Sequence, residues 1–145
     1  MEINRREIAL KLFNEKYNCA QSILIAYSDL VNIDKKMALK IASGFGGGIA
    51  RLGKTCGTIN AAVMLLSLKY GEEEKEDIES KTNTRETIRK FMLDFGKIHK
   101  SISCADLLTE ENDKTYVMHS EKCTSIVEEV CDLLDKYMFF EVEEK

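Results

Sequence analysis

The chain has 145 residues, a formal net charge of -4, 44% apolar and 32% charged residues, no Pro, no Trp and five Cys. This length supports one domain with a real core and no disulfide staples, and the apolar content excludes intrinsic disorder. The acidic balance offers no general basic footprint for nucleic acid or an anionic membrane, and no apolar run reaches the ~18 residues of a spanning helix.

The N-terminus, Met1 to Arg6, is polar and runs directly into a helical pattern, which is read as no signal peptide. Ile3, Ile8, Ala9, Leu12 and Phe13 form a stripe that predicts an amphipathic helix over 2–15. Asn18 is placed to cap a second helix, 19–31, with Ile23, Ala26, Tyr27 and Leu30 inside. Asp34 is placed to cap a third, 35–44, with Met37, Leu39, Ile41 and Ala42 inside. Six of the eight glycines then fall between Gly44 and Gly57, so the backbone turns sharply or approaches something closely there.

Thr55 opens a fourth helix, 56–70, ended by Gly71 and apolar nearly all round at 61–66; it is expected to be the most buried rod. Residues 72–82, with the Glu72-Glu73-Glu74 run, read as an exposed linker. Asn83 and Glu86 resemble a capping box for a fifth helix, 84–100, with Ile88, Phe91, Met92, Phe95 and Ile98 inside. Residues 101–120 are polar and irregular. Ser125 and Glu128 resemble a capping box for a last helix to about 140, with the stripe Ile126, Val127, Val130, Leu134 and Met138. Phe139 and Phe140 fold back on the bundle or cover a homodimer surface, and 141–145 is a frayed tail. With no alternating strand pattern, no repeat and no boundary, the expectation is one all-α domain over 1–145, a bundle of five or six helices.

Five cysteines without a leader point to the cytoplasm, where structural thiols stay reduced, so they are buried hydrophobes, metal ligands or redox groups. Cys19 and Cys56 start predicted helices, Cys104 follows the fifth and Cys123 precedes the last. Cys131 lies mid-helix beside Val130 and Leu134 and reads as core. Cys56 has the strongest local case: the first turn of a helix favours a thiolate, Arg51 and Lys54 are near in sequence, and Gly53 and Gly57 flank it. The same position also tolerates any small residue, so a reactive and an inert thiol both remain open.

Cys19, Gly46-Gly47-Gly48 leading to Cys56-Gly57, and then Cys104 and Cys123 resemble the family of redox-active proteins named for a C…GCAxxG…C…C pattern. The resemblance spans about residues 5–138 and implies that Cys19, Cys56, Cys104 and Cys123 are the working cysteines. The family's glycine-containing hexapeptide aligns with Cys56 to Ala61, where Thr58 replaces an alanine and Ala61 the last glycine. No substrate comes with it.

Two other chemistries compete. Gly48 to Thr55 fits the phosphate-binding pattern G-x-x-x-x-G-K-[ST], yet 35–44 carries three lysines and does not read as the buried strand a P-loop needs. The four cysteines Cys19, Cys56, Cys104 and Cys123 are also candidate ligands for zinc or an iron–sulfur cluster, although no C-x-x-C pair is present. His99 reads as a helix-end residue, and His119, four residues before Cys123, is a candidate ligand or base.

The reading that results is thiol–disulfide exchange or electron transfer. Cys56 attacks, Cys19 is the first choice to resolve, Cys104 and Cys123 form the second pair, and the partner is a redox protein or a small thiol. A helical interaction module with incidental cysteines is the remaining alternative.

Overall fold

The computed structural model describes residues 3–110, 113–116 and 121–139. Among them are seven α-helices, not five or six: α1 (Arg5–Asn14), α2 (Cys19–Ala26), α3 (Lys35–Ile41), α4 (Gly57–Tyr70), α5 (Ile78–Ile98), α6 (Cys104–Leu108) and α7 (Glu121–Met138). The extra elements come from the polar stretch after α5, which holds α6 and a short antiparallel hairpin, β1 (Thr109–Glu110) with β2 (Asp113–Tyr116). The tail 141–145, Phe140 and His119 lie outside the described residues.

The first three helices begin where their caps sit. Side chains of Asn4, Asn18 and Asp34 accept from the N–H groups of Glu7, Gln21 and Met37, and Asn18 with Gln21 completes a capping box. Helices α2 and α3 are shorter than their periodicity suggests. Each is followed by a 3-10 turn, at Ser28–Val31 and Ser43–Phe45, and Leu30, Met37 and Ile41 are exposed where the period placed them inside. In α1 the inward face is Ala9, Leu12 and Phe13 with Arg5, while Ile3 and Ile8 face outward. Arg5 is tolerated inside because its two terminal nitrogens are engaged: Nη1 donates to the Ala26 carbonyl, and Nη1 and Nη2 fork onto the two Asp29 oxygens, while the buried Nε has no partner.

Helix α5 starts at Ile78, capped by Asp77, and takes in half of the expected linker; Asn83 and Glu86 lie inside it. Residues 72–77 remain exposed. Phe91 and Phe95 are fully buried, and Ile98 is exposed. Likewise α7 begins before Ser125, and its stripe Ile126, Val127, Val130, Leu134 and Met138 is buried as its period requires, with Cys131 among them.

Helix α4 is the central rod, packing on α2, α5 and α7, and α1 closes the bundle against α2 and α7. Gly57, Thr58, Ile59, Ala61, Ala62, Leu65 and Leu66 form its buried face. Tyr27 ties α2 to α7: its hydroxyl donates to the Cys131 carbonyl at 3.1 Å and Asp135 Oδ1 at 2.7 Å. No helix of the described residues is long and apolar enough to cross a membrane.

Candidate functional site

The glycine-dense connection between α3 and α4 is a left-handed turn. Gly47, Gly48, Ile49, Ala50 and Arg51 all have positive φ, from 52° to 75°. For Ile49, Ala50 and Arg51 this conformation costs roughly 1–2 kcal/mol each. Backbone bonds of 2.8–3.1 Å hold it, from the N–H groups of residues 50–54 to the carbonyls of Gly44, Gly46, Ile49, Gly47 and Gly48. The phosphate-binding expectation fails here. The N–H groups that would face a phosphate are engaged with carbonyls, and the preceding segment is α3 and a 3-10 turn instead of a strand.

A backbone clamp then joins two distant parts of the chain. Thr55 forms an isolated antiparallel bridge with Ser103. Around it, the Cys56 N–H donates to the Ile102 carbonyl at 2.7 Å, and the Cys104 N–H donates to the Lys54 carbonyl at 2.6 Å. The Ser103 hydroxyl adds a bond to the Gly53 carbonyl at 2.9 Å. The clamp fixes the start of α4 against the start of α6, and with them Cys56 and Cys104.

Each of the four cysteines sits at a helix N-terminus. Cys19 is the first residue of α2, Cys104 the first of α6, Cys123 lies in the first turn of α7, and Cys56 is the N-cap of α4, one residue earlier than its expected place. Glycines let these ends approach. A Cβ on Gly57 would stand 2.7 Å from Cys19 Sγ and 2.7 Å from the Phe45 carbonyl oxygen. One on Gly48 would stand 2.6 Å from Cys104 Cβ, and one on Gly46 2.6 Å from Asn18 Cβ. Asn18 in turn donates to the Ala42 and Ser43 carbonyls, which binds the start of α2 to the end of α3.

All four cysteines line one cavity of about 470 Å³, with Phe13, Lys16, Arg51 and Ile126 also on its wall. Cys56 and Cys104 are each 6% exposed; Cys19 and Cys123 are half-buried. No disulfide joins any two of the five cysteines in the structure.

The electrostatics separate them. Cys56 is drawn from 9.0 down to about 6, first by the Cys19 thiol that donates to it, then by the Thr58 hydroxyl at 3.0 Å and the Thr58 and Ile59 N–H groups. Cys19 is pushed well above 9.0 because it holds that shared proton and is buried beside Cys56 and Cys123; the Gly47 N–H partly opposes the shift. Burial pushes Cys104 up to about 11, helped by Cys56 and Cys123. Arg51 and Lys54 are not among the leading influences on Cys56.

Cys131, by contrast, is fully buried in α7 and raised to about 12 by desolvation, as its place in the core stripe implies. Among the described residues, no three His, Cys, Asp or Glu side chains are grouped so as to hold a metal ion, so the zinc or iron–sulfur alternative gains nothing from the geometry. His99 is engaged elsewhere, 2.5 Å from Glu129 and stacked on Phe95.

Residues 17–137 match the family described as "Putative redox-active protein (C_GCAxxG_C_C)". The chain belongs to that family. An "Uncharacterized protein" of Archaeoglobus fulgidus is 29% identical over 132 residues, covering 86% of this chain and 87% of that relative. No solved structure matches the chain. The family's cysteine pattern thus corresponds to thiols from four separate helix ends around one cavity.

Sequence reasoning missed the clamp between 54–56 and 102–104 and the Gly47 N–H that faces Cys19. No residue pattern announces either. The glycine spacing was the available signal, since Gly46, Gly48 and Gly57 each stand against Asn18, Cys104 or Cys19.

Proposed function

We propose that the protein is a thiol–disulfide oxidoreductase-like redox protein of the cytoplasm, in which Cys56 attacks and Cys19 resolves. The observation that carries this is the close approach of two helix ends, in which a Cβ on Gly57 would stand 2.7 Å from Cys19 Sγ, with the Thr58 hydroxyl and the Thr58 and Ile59 N–H groups facing Cys56 rather than Cys19. The division of labour follows from that asymmetry. A thiolate at Cys56 attacks one sulfur of a disulfide, whose S–S bond breaks, and the departing thiolate leaves with the electron pair and takes up a proton. Cys19 gives up its proton, attacks Cys56 in the mixed disulfide and releases the second half of the substrate as a thiol. The protein ends with a Cys19–Cys56 disulfide, oxidised by two electrons. Cys104 and Cys123 line the same cavity and supply a second dithiol, whose own two electrons reduce the Cys19–Cys56 disulfide as these two thiols are oxidised in turn. The partner is a redox protein or a small-molecule thiol.

The test is a redox titration of the full chain in dithiothreitol buffers, with free thiols counted at each potential. Two thiols are expected to disappear together and reversibly, and Cys56→Ser and Cys19→Ser are each expected to abolish that step. Absence of any reversible two-thiol step would reject the reading.

A further inference from the structure

The wall of the cysteine cavity carries two cations, Lys16 and Arg51, and among the described residues no Asp or Glu. Neither cation is paired with a carboxylate among those residues. Neither is among the leading influences on Cys19, Cys56 or Cys104. Both stand on left-handed backbone, Lys16 with φ of 81° just past α1 and Arg51 with φ of 64° at the end of the glycine turn. Conformations that L-residues adopt at a cost thus present two unneutralised charges at the mouth of a recess whose depth holds sulfur. Three other polar wall side chains are engaged: Asn18 donates to the Ala42 and Ser43 carbonyls, Gln21 donates to the Leu39 carbonyl, and the Thr58 hydroxyl lies 3.0 Å from Cys56 Sγ.

The size of the recess narrows the partner. A volume of about 470 Å³ lies within the range of small-ligand pockets. With Cys56 only 6% exposed, a disulfide held in the surface of a folded protein would not reach it, whereas a small one entering the cavity would. Phe13, Leu107, Leu108 and Ile126 supply an apolar lining for carbon and sulfur, and the cations supply the opposite requirement.

We propose that the cavity takes a small-molecule disulfide bearing carboxylates, with Lys16 and Arg51 binding the carboxylates while Cys56 meets the disulfide sulfur. This rests on the thiol–disulfide reading above and adds the substrate class to it. The reaction is one stoichiometric half-cycle: R–S–S–R and the Cys56/Cys19 dithiol become two R–SH and the Cys19–Cys56 disulfide. The substrate S–S bond is cleaved and reduced by the two electrons that the dithiol loses, and the two thiol protons pass to the released thiols.

Three aliphatic disulfides of matched size test it: anionic 3,3′-dithiodipropionate, neutral 2-hydroxyethyl disulfide and cationic cystamine. Each is mixed with the reduced full chain in a single turnover, and each rate is divided by that disulfide's rate with free 2-mercaptoethanol. The anion is expected to be about tenfold faster than the neutral compound, as in electrostatic focusing, and the cation slower still. Added salt is expected to shrink the preference. In Lys16→Gln/Arg51→Gln the ratio of the anionic to the neutral normalised rate is expected to fall to about one. Equal normalised rates in the parent chain, or a preference that survives the double substitution, overturns the substrate class and leaves the redox pair standing. Failure of all three disulfides to oxidise Cys56 overturns both.

Discussion

Cys56 and Cys131 are both nearly inaccessible, 6% and 0% exposed, yet one is drawn down to about 6 and the other pushed up to about 12. Both pay desolvation, so burial does not distinguish them. The difference lies in what faces the sulfur. At the start of α4, Cys56 meets a thiol donor, a hydroxyl and two helix N–H groups; in the middle of α7 the helix N–H groups are already bonded, burial dominates, and the Asp135 and Asp132 carboxylates add to the rise against a Tyr27 hydrogen bond. A thiol at a helix terminus inherits unsatisfied donors, and a thiol within a helix does not.

The widest break of this comparison is substitution of the two sulfurs themselves. Cys56→Ser is expected to remove the reversible Cys19–Cys56 oxidation step, whereas Cys131→Ala is expected to leave it intact and cost about 1 kcal/mol in chemical unfolding through the small cavity created. Loss of oxidation in the Cys131 variant would erase the distinction between the two regions.

Next in size is Gly57→Ala, which places a methyl group 2.7 Å from Cys19 Sγ and from backbone oxygen. Overpacking of this kind costs about 1–3 kcal/mol. Separation of the pair is expected to raise the Cys56 pKa as well, read from the pH dependence of its alkylation.

That dependence is itself informative. In the parent chain, iodoacetamide labelling of Cys56 is expected to be half-maximal near pH 6, where the thiolate forms, and flat above about pH 7. Thr58→Val keeps the shape of the side chain but removes the hydroxyl donor, and is expected to move the midpoint up by about one pH unit. The linkage has opposite signs in the two regions. Cys56, lowered from 9.0, stabilises the fold above pH 9 and loses that contribution as pH falls through 6. Cys131, raised from 9.0, contributes below pH 9 and loses it as pH rises toward 12.

The smallest expected effect is Gly96→Ala in α5. Its Cβ would meet nothing within 4 Å, so helix propensity alone operates and a gain of about 0.5–1 kcal/mol is expected in thermal or chemical unfolding. Gly57 and Gly96 then differ in sign, because one glycine makes room for a sulfur and the other does not.

The sequence was most legible where periodicity and caps carry the information. The α7 stripe and the caps at Asn18 and Asp34 stand where the pattern places them. It was least legible where tertiary contacts decide. Met37 and Ile41 look like core on α3 alone, but the face that packs inward carries Ala38 and Ala42 instead. The start of α5 was misplaced because Asn83 imitates a cap, whereas Asp77 six residues earlier already satisfies Ser80. At the site, the family pattern pointed to four cysteines, but their meeting depends on the Thr55–Ser103 bridge and the left-handed turn, which are backbone arrangements over distances that local pattern does not encode.

Disulfide mapping of the mildly oxidised full chain by mass spectrometry, with free thiols blocked at low pH before digestion, is the most direct measurement. The account predicts that the first bond formed links Cys19 to Cys56, with Cys131 recovered as a free thiol. A first bond that leaves Cys56 free, or that joins Cys131, would contradict it.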